Sequence, residues 1–284
     1  MNTTELGNVI RKIRQRRGIL FKEIDAPVSI STLSRVENGQ SSLTLGDLSQ
    51  VLNELGCTVA EVLGHLDTTT PYPEVWAAFE RAARKEDSKA LDGIVTQYQN
   101  RQDYIGRLIW LTAVGWQSTD FSSRFTDSNQ VEEFLELMLR PQPWYQFEYD
   151  ILVLAINYLP SKPMQTLIRR AAVEYSRDQN SVYEESLMAA LFNAAYIADQ
   201  HHDKALVDLM LGVLRGIPVR KNTVFIKHRM KLLELALHFR FYGEGHALEQ
   251  IAQLISAMRL IGATEFADEE LRWIESMRIA LPDI

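Results

Sequence analysis

A single cysteine, Cys57, occurs in the 284 residues. One thiol excludes an internal disulfide framework and any cysteine-rich metal site. A small, partly buried side chain is the expectation for it. Long apolar runs are also missing. No stretch of about 18 apolar residues is present, so no segment is expected to span a membrane. The opening MNTTELGNVIRKIRQRR lacks the apolar stretch of a secretory signal. These absences together point to the cytoplasm. Signatures of catalysis are absent as well: there is no G-x-S-x-G, no H-E-x-x-H and no phosphate loop. His201-His202 has no metal-ligand partner at useful spacing and reads as a solvated turn. Glu132-Glu133 and Glu184-Glu185 read as helix-surface acids. No catalytic residue, metal or cofactor is therefore expected, and the chain is not read as an enzyme. Finally, positive charge is in deficit. Lys and Arg number 30 against 37 Asp and Glu, a net −7, which is unfavourable for a nucleic-acid binder unless the charge is unevenly placed.

It is unevenly placed. Residues 1–66 hold seven basic and seven acidic groups, so residues 67–284 carry the whole negative excess. Five of the seven basic residues (Arg11, Lys12, Arg14, Arg16, Arg17) cluster in one predicted helix, while the acids are spread out. Such a ridge suffices for phosphate contacts. With 46% hydrophobic and 24% charged residues, the chain can bury a large core and stay soluble.

Apolar residues recur at helical spacing almost throughout. Leu6, Val9, Ile10 and Ile13 predict a helix over 4–17, ended by Gly18. Short helices follow over 20–25 and 29–38, a longer one over 45–55 stopped by Gly56, and a fifth capped by Thr58. Five helices of this size form a complete small domain, residues 1–66. The segment 67–73, Asp67-Thr68-Thr69-Thr70-Pro71-Tyr72-Pro73, reads as a linker. Residues 74–284 form a second domain. There, helices are expected over about 74–86, 88–99, 102–118, 129–139, 145–159, 163–177, 181–199, 203–214, 222–242, 245–262 and 265–279. No strand-like alternation occurs. The fold class is all-α: a five-helix helix-turn-helix domain followed by a tetratricopeptide-like helical-repeat solenoid. No clean tetratricopeptide consensus is present, so any repeats are degenerate.

The stretch Ser29-Ile30-Ser31-Thr32-Leu33-Ser34-Arg35-Val36-Glu37-Asn38-Gly39 reads as a recognition helix with a glycine stop. Ser29 can cap its start and Gly39 its end. Val28, Leu33 and Val36 face a core. Ser31, Thr32 and Arg35 form a short polar face that a major groove accepts. Arg35 is the candidate for base readout, with a phosphate or intradomain contact as the alternative. Ser31 and Thr32 can donate to bases or phosphates. Asn38, Ser41 and Ser42 position the DNA backbone, and Lys12, Arg16, Arg17 and Lys22 contact phosphates.

These residues resemble the helix-turn-helix family of phage repressors and Xre regulators, most specifically in Leu33–Gly39. The whole chain resembles the Rgg/GadR/MutR transcriptional regulators of Gram-positive bacteria. That resemblance rests on Leu6-Gly7 with Ile10–Arg14, on Ser29–Gly39 with Ser41-Ser42-Leu43-Thr44, and on Phe225-Ile226-Lys227-His228-Arg229 followed by Leu254-Ile255. It implies a homodimeric regulator of promoter DNA whose C-terminal domain takes a short signalling peptide in a concave groove, in the manner of quorum sensing. RNA polymerase is a further partner it leaves open. It also implies an Arg14–Glu37 ion pair inside the first domain, so Arg14 is kept out of the DNA-contacting set. Two departures matter. Many relatives carry Lys or Gln where this chain has Ile30 and Thr32, which implies a different operator. Leu20 and Phe21 stand where phage-type repressors place a polar DNA contact, and Lys22 substitutes.

For the effector, Asn157 and Asn193 lie in apolar stretches 36 residues apart, near the spacing of a two-helix repeat. An asparagine amide donates and accepts, so such a pair can grip an extended peptide; related regulators use asparagine this way. Bonding to a neighbouring helix is the alternative. Arg84 and Arg229 are candidates for a peptide acid or C-terminus. The aromatic run Trp144, Tyr145, Phe147 and Tyr149 reads as core. A dimer interface is expected from helices 245–262 and 265–279. Two other readings stand beside this one: a regulator of the same fold sensing a non-peptide signal, and a helical-repeat adaptor for other proteins.

Overall fold

The structure, a computed structural model, describes residues 3–63, 71–84, 87–117, 128–218 and 224–281. Among the described residues there are fifteen α-helices, one 3-10 helix and no strand. The chain forms two compact units, Met1–Glu80 and Arg81–Ile284.

The first unit contains α1 (Thr3–Arg16), the 3-10 helix Phe21–Glu23, α2 (Ile30–Glu37), α3 (Leu45–Glu54) and α4 (Val59–Leu63). Leu6, Ile10, Leu33, Val36, Leu48, Val51, Leu52, Leu55 and Val62 are buried together. Each contributes about 1.5–3 kcal/mol of gross burial energy. Polar side chains start the helices. Ser29 Oγ accepts from Thr32 N at 3.1 Å, and Thr44 Oγ1 from Asp47 N at 3.1 Å. Thr58 and Glu61 form a reciprocal capping box.

Glycine ends the helices. After α2, Gly39 N donates to Val36 O at 2.9 Å and Gln40 N to Arg35 O at 2.8 Å, the paired bonds of a Schellman stop. Gly39 has φ +70°, and a Cβ there would lie 2.8 Å from Thr4 Cα, so both backbone and space demand glycine. The same bond pattern closes α1 at Gly18 and α3 at Gly56. At Gly7 the demand is for space alone. A Cβ would sit 2.0 Å from Val36 O, so glycine lets α1 cross directly over α2. The expected second helix over 20–25 is only the 3-10 turn Phe21–Glu23. Pro27 disfavours helical backbone in the residue before it and leaves too little chain for an α-helix.

Helix α5 spans Pro71–Arg84. It starts ahead of the expected residue 74, because prolines are tolerated in a first helical turn. Pro71, Tyr72 and Pro73 are therefore helical, and residues 67–70 of the expected linker lie outside the described residues.

The second unit contains α6 (Ser88–Tyr98), α7 (Tyr104–Gln117), α8 (Ser128–Met138), α9 (Gln146–Ala155), α10 (Ser161–Asp178), α11 (Ser181–His201), α12 (Lys204–Gly216), α13 (Val224–Tyr242), α14 (Ala247–Leu260) and α15 (Thr264–Ser276). Packing follows two rows. Helix α7 packs on α9, α9 on α11 and α11 on α13; α8 packs on α10 and α10 on α12. This alternation is that of stacked helix pairs. Helices α14 and α15 continue from α13. Polar bonds tie successive layers. Gln146 donates to Ser186 at 2.7 Å, and Ser186 to Asp150 at 2.7 Å. Arg240 on α13 donates twice to Asp199 on α11, at 2.5 and 2.8 Å.

Three sequence expectations change here. Helix α9 stops at Ala155 rather than 159, and Asn157 falls in the turn beyond it; Pro160 disfavours helical backbone just before it. Glu184, expected as a surface acid, is fully buried and accepts from Tyr175 Oη at 2.5 Å. Of the aromatic run, Trp144, Phe147 and Tyr149 are in the core, but Tyr145 is exposed. His202 is the left-handed cap of α11, with φ 51°. No helix among the described residues is long and apolar enough to cross a membrane.

Candidate functional site

In the first unit, one ion pair organises the surface around α2. Arg14 donates to both oxygens of Glu37, at 2.6 and 2.9 Å, and to Ile19 O at 3.0 Å. Its guanidinium also lies 4.0 Å from the Phe21 ring centroid. The Glu37 hydrogen bond raises the Arg14 pKa above its ordinary value, against the opposing effect of burial. A planar fork against a buried carboxylate is a geometry only arginine supplies. This joins α1, the 3-10 turn and α2.

Other basic residues of α1 also turn inward. Arg11 donates to Asn38 Oδ1 and lies 3.6 Å from Glu37. Arg17 donates to Leu55 O at the end of α3. Asn38 Nδ2 bonds Ser34 O at 2.8 Å. The ridge read from sequence as five basic groups is thus three internal ties and two outward groups. Lys12 and Arg16 are exposed, one helical turn apart. Lys22 and Arg35 are exposed too. The Arg35 side chain makes no hydrogen bond or ion pair with any described residue. Ser31 and Thr32 are less free than their spacing implied. Both hydroxyls lie on Ser29 Oγ, at 2.8 and 2.9 Å, though a hydroxyl so engaged retains capacity for a further partner. Ser41 and Ser42 follow α2 in an irregular stretch, the first half-buried and the second exposed.

In the second unit, α11, α13 and α15 enclose a cavity of about 400 Å³. Phe192, Asn193, Phe225, Arg229, Glu270 and Trp273 line it. Asn193 and Arg229, each singled out from the sequence for a different reason, meet here. The Arg229 guanidinium stacks 4.4 Å from the Phe192 ring centroid. Burial lowers its pKa, while Glu270, Glu185 and Glu269 act in the other direction. The two asparagines do share a feature: both side chains donate to Val153 O, Asn157 at 3.2 Å and Asn193 at 3.1 Å. Asn157 also donates to Leu154 O at 3.3 Å, so it closes the end of α9 and does not line the cavity. The Arg84 side chain lies outside the described residues. A larger cavity of about 780 Å³ runs between α10 and α12, lined by Ala172, Val173, Ser176, Leu209 and Gly212. It contains none of the residues expected to bind an effector.

Comparison with known families places the first unit. Residues 10–62 match the helix-turn-helix family. Helix α2 lies within the matched residues, with the Phe21–Glu23 turn before it. The whole chain also has the fold of several solved regulators. The Streptococcus dysgalactiae SHP pheromone receptor Rgg2 superposes with TM-score 0.67 at 15% identity, covering 94% of this chain and 97% of that one. PrgX in complex with cCF10 gives 0.73 at 13%, covering 96% and 99%. A Listeria monocytogenes EGD-e protein regarded as a transcriptional regulator gives 0.73 at 15%, covering 97% and 99%. At such identities the likeness establishes the fold. Comparison with curated proteins finds no match.

Sequence reasoning missed Arg11, although its position in the basic cluster was visible. It also missed Glu185, Glu269, Glu270, Phe266 and Trp273. No sequence signal separates these from surface residues, because stacking α11 against α13 and α15 is what gathers them. Arg229 was read as a partner for a peptide acid. The three carboxylates that face it already supply its counter-charge. Among the described residues, no group of three or more His, Cys, Asp or Glu could hold a metal ion.

Proposed function

We propose that the chain is a cytoplasmic, sequence-specific transcription regulator of promoter DNA, controlled by a short signalling peptide held in the helical-repeat domain. Residues 1–66 read DNA, residues 74–284 sense and dimerise, and the segment 67–73 joins them. The observation that carries the DNA half is the exposed side of α2. Among the described residues the Arg35 guanidinium has no partner, while Arg14 and Glu37 of the same domain are paired with each other. Lys12, Arg16 and Lys22 are the phosphate contacts, and Ser31, Thr32, Ser41 and Ser42 contribute hydroxyls. Asn38 and Arg17 act by positioning this surface, since both are bonded within the domain. Support for the peptide half comes from the shared fold with an SHP pheromone receptor and with PrgX in complex with cCF10, and from the meeting of Asn193 with Arg229 at one cavity. Asn157 supports that wall from behind. Arg84 completes the candidate set. Two helix-turn-helix units need fixed spacing to read paired half-sites. A homodimer through α14 and α15 provides it, where Leu260 and Ile261 are 88% and 74% exposed.

Anisotropy titration of DNA from the chain's own promoter tests this. Specific binding that weakens with salt is expected. Arg35→Ala costs about 1–3 kcal/mol of discrimination, the value of a bidentate arginine–guanine contact, and leaves binding to unrelated DNA unchanged. Equal affinity for promoter and unrelated DNA in the natural protein overturns the reading.

A further inference from the structure

We propose that the cavity between α11, α13 and α15 receives an ammonium group of the effector, with Glu270 as its counter-charge. This rests on the peptide reading above and names the chemistry of the group that enters.

Four observations lead there. First, charge at the cavity is one-sided. Glu185, Glu269 and Glu270 face a single guanidinium, that of Arg229. Even with His228 added to the basic side, the carboxylates are in the majority. Second, Arg229 is already engaged. It stacks on Phe192 and is surrounded by those carboxylates, so an incoming acid meets more repulsion than attraction. Third, Glu270 is 5% exposed and only half satisfied. Its Oε2 lies 2.7 Å from His228 Nε2, while its Oε1 is buried with no hydrogen-bond partner. A buried carboxylate oxygen without a donor is costly, and its presence at a cavity wall marks a place for one. Fourth, Trp273 Nε1 is buried at the same cavity without an acceptor.

One orphan acceptor and one orphan donor on α15 are thus three residues apart, on one face of the helix. A peptide amino terminus matches both, its ammonium donating to Glu270 Oε1 and its first carbonyl accepting from Trp273. A lysine side chain matches the acceptor alone. The aromatic rings of Phe192, Phe225 and Phe266 favour a cation near their faces in either case.

The test uses the full chain and two random hexapeptide libraries, one with free amino termini and one acetylated. Peptides retained through gel filtration are identified by mass spectrometry. Retention from the free-amine library about tenfold above the acetylated one supports the proposal with the terminus as source; a tenfold difference is within the reach of one charge-assisted bond. Enrichment of lysine in both libraries supports it with the side chain as source. Glu270→Gln is expected to abolish the preference. Glu269→Gln, at an exposed residue that leaves the His228 contact intact, is expected to reduce it severalfold. Equal retention without lysine enrichment, or enrichment of acidic peptides, overturns the proposal and leaves peptide binding standing. Retention of nothing from either library overturns both.

Discussion

The two units are built from the same element and hold it together differently. In the helix-turn-helix domain, Glu37 is the buried carboxylate, and it collects Arg14 and Arg11 from the crossing helix. In the repeat domain, buried carboxylates recur along the stack: Glu148, Glu174, Glu184, Asp199 and Glu270. Asp199 pairs with Arg240 on the next helix of its row, and Glu184 with Tyr175 on the preceding helix. The small domain gathers its ion pairs at one buried carboxylate between α1 and α2. A long stack repeats them, because every layer needs its own register. The helix-turn-helix domain should therefore fail as a whole when its Glu37 tie is cut, whereas the repeat domain should lose contacts locally.

The sharpest way to break this contrast is Glu37→Ala. Removing one member of a buried pair leaves an uncompensated guanidinium and costs about 3–5 kcal/mol. Hydrogen exchange should show protection falling together across α1 to α4 while α9 to α13 stay unchanged. Loss confined to α2 would contradict it. A smaller effect is expected for Gly7→Ala. The added carbon meets the Val36 carbonyl at 2.0 Å, a backbone atom that cannot rotate away, so overpacking of about 1–3 kcal/mol follows. Urea denaturation measures it, and an unchanged midpoint would mean that α1 and α2 can separate freely.

On the repeat side, Leu260→Asp with Ile261→Asp should leave folding within about 0.5 kcal/mol, since both are surface positions. It should turn the proposed dimer into a monomer by light scattering; a mass unchanged from that of the natural protein overturns the proposed α14–α15 seam. The smallest effect is a pH dependence. The Arg107 hydrogen bond holds the Glu133 carboxyl below its ordinary value of 4.5. A depressed pKa adds stability that is present above pH 4.5 and is lost as pH falls below it. Glu133→Gln should flatten that acid limb in thermal melts taken between pH 5 and 3.

Much of the fold was legible because helix formation is a local matter. Ser29, Thr44 and Thr58 cap helices, Gly18, Gly39 and Gly56 end them, and the 3.6-residue apolar rhythm marks the faces between. The exceptions were local too: Pro27 and Pro160 each truncated a helix the rhythm had extended. The exposed side of α1 and α2 was half legible. Arg35 could be read as outward from its place opposite Leu33 and Val36. That Arg11 and Arg17 turn inward could not, because their acceptors, Asn38 and the Leu55 carbonyl, are 27 and 38 residues away. The cavity was least legible. Asn193 and Arg229 were identified singly, for different reasons, and nothing in their neighbourhoods announced Glu270 or Trp273.

By itself, then, the sequence determined an all-helical chain, a small capped domain with a short helix polar on one side, and a long series of apolar helices after it. These follow from periodicity and capping, which act within a few residues. Only the tertiary structure decided which charges are ties and which are free, and which side chains surround a space. Those outcomes depend on helices that meet across tens of residues, where crossing and stacking set every distance.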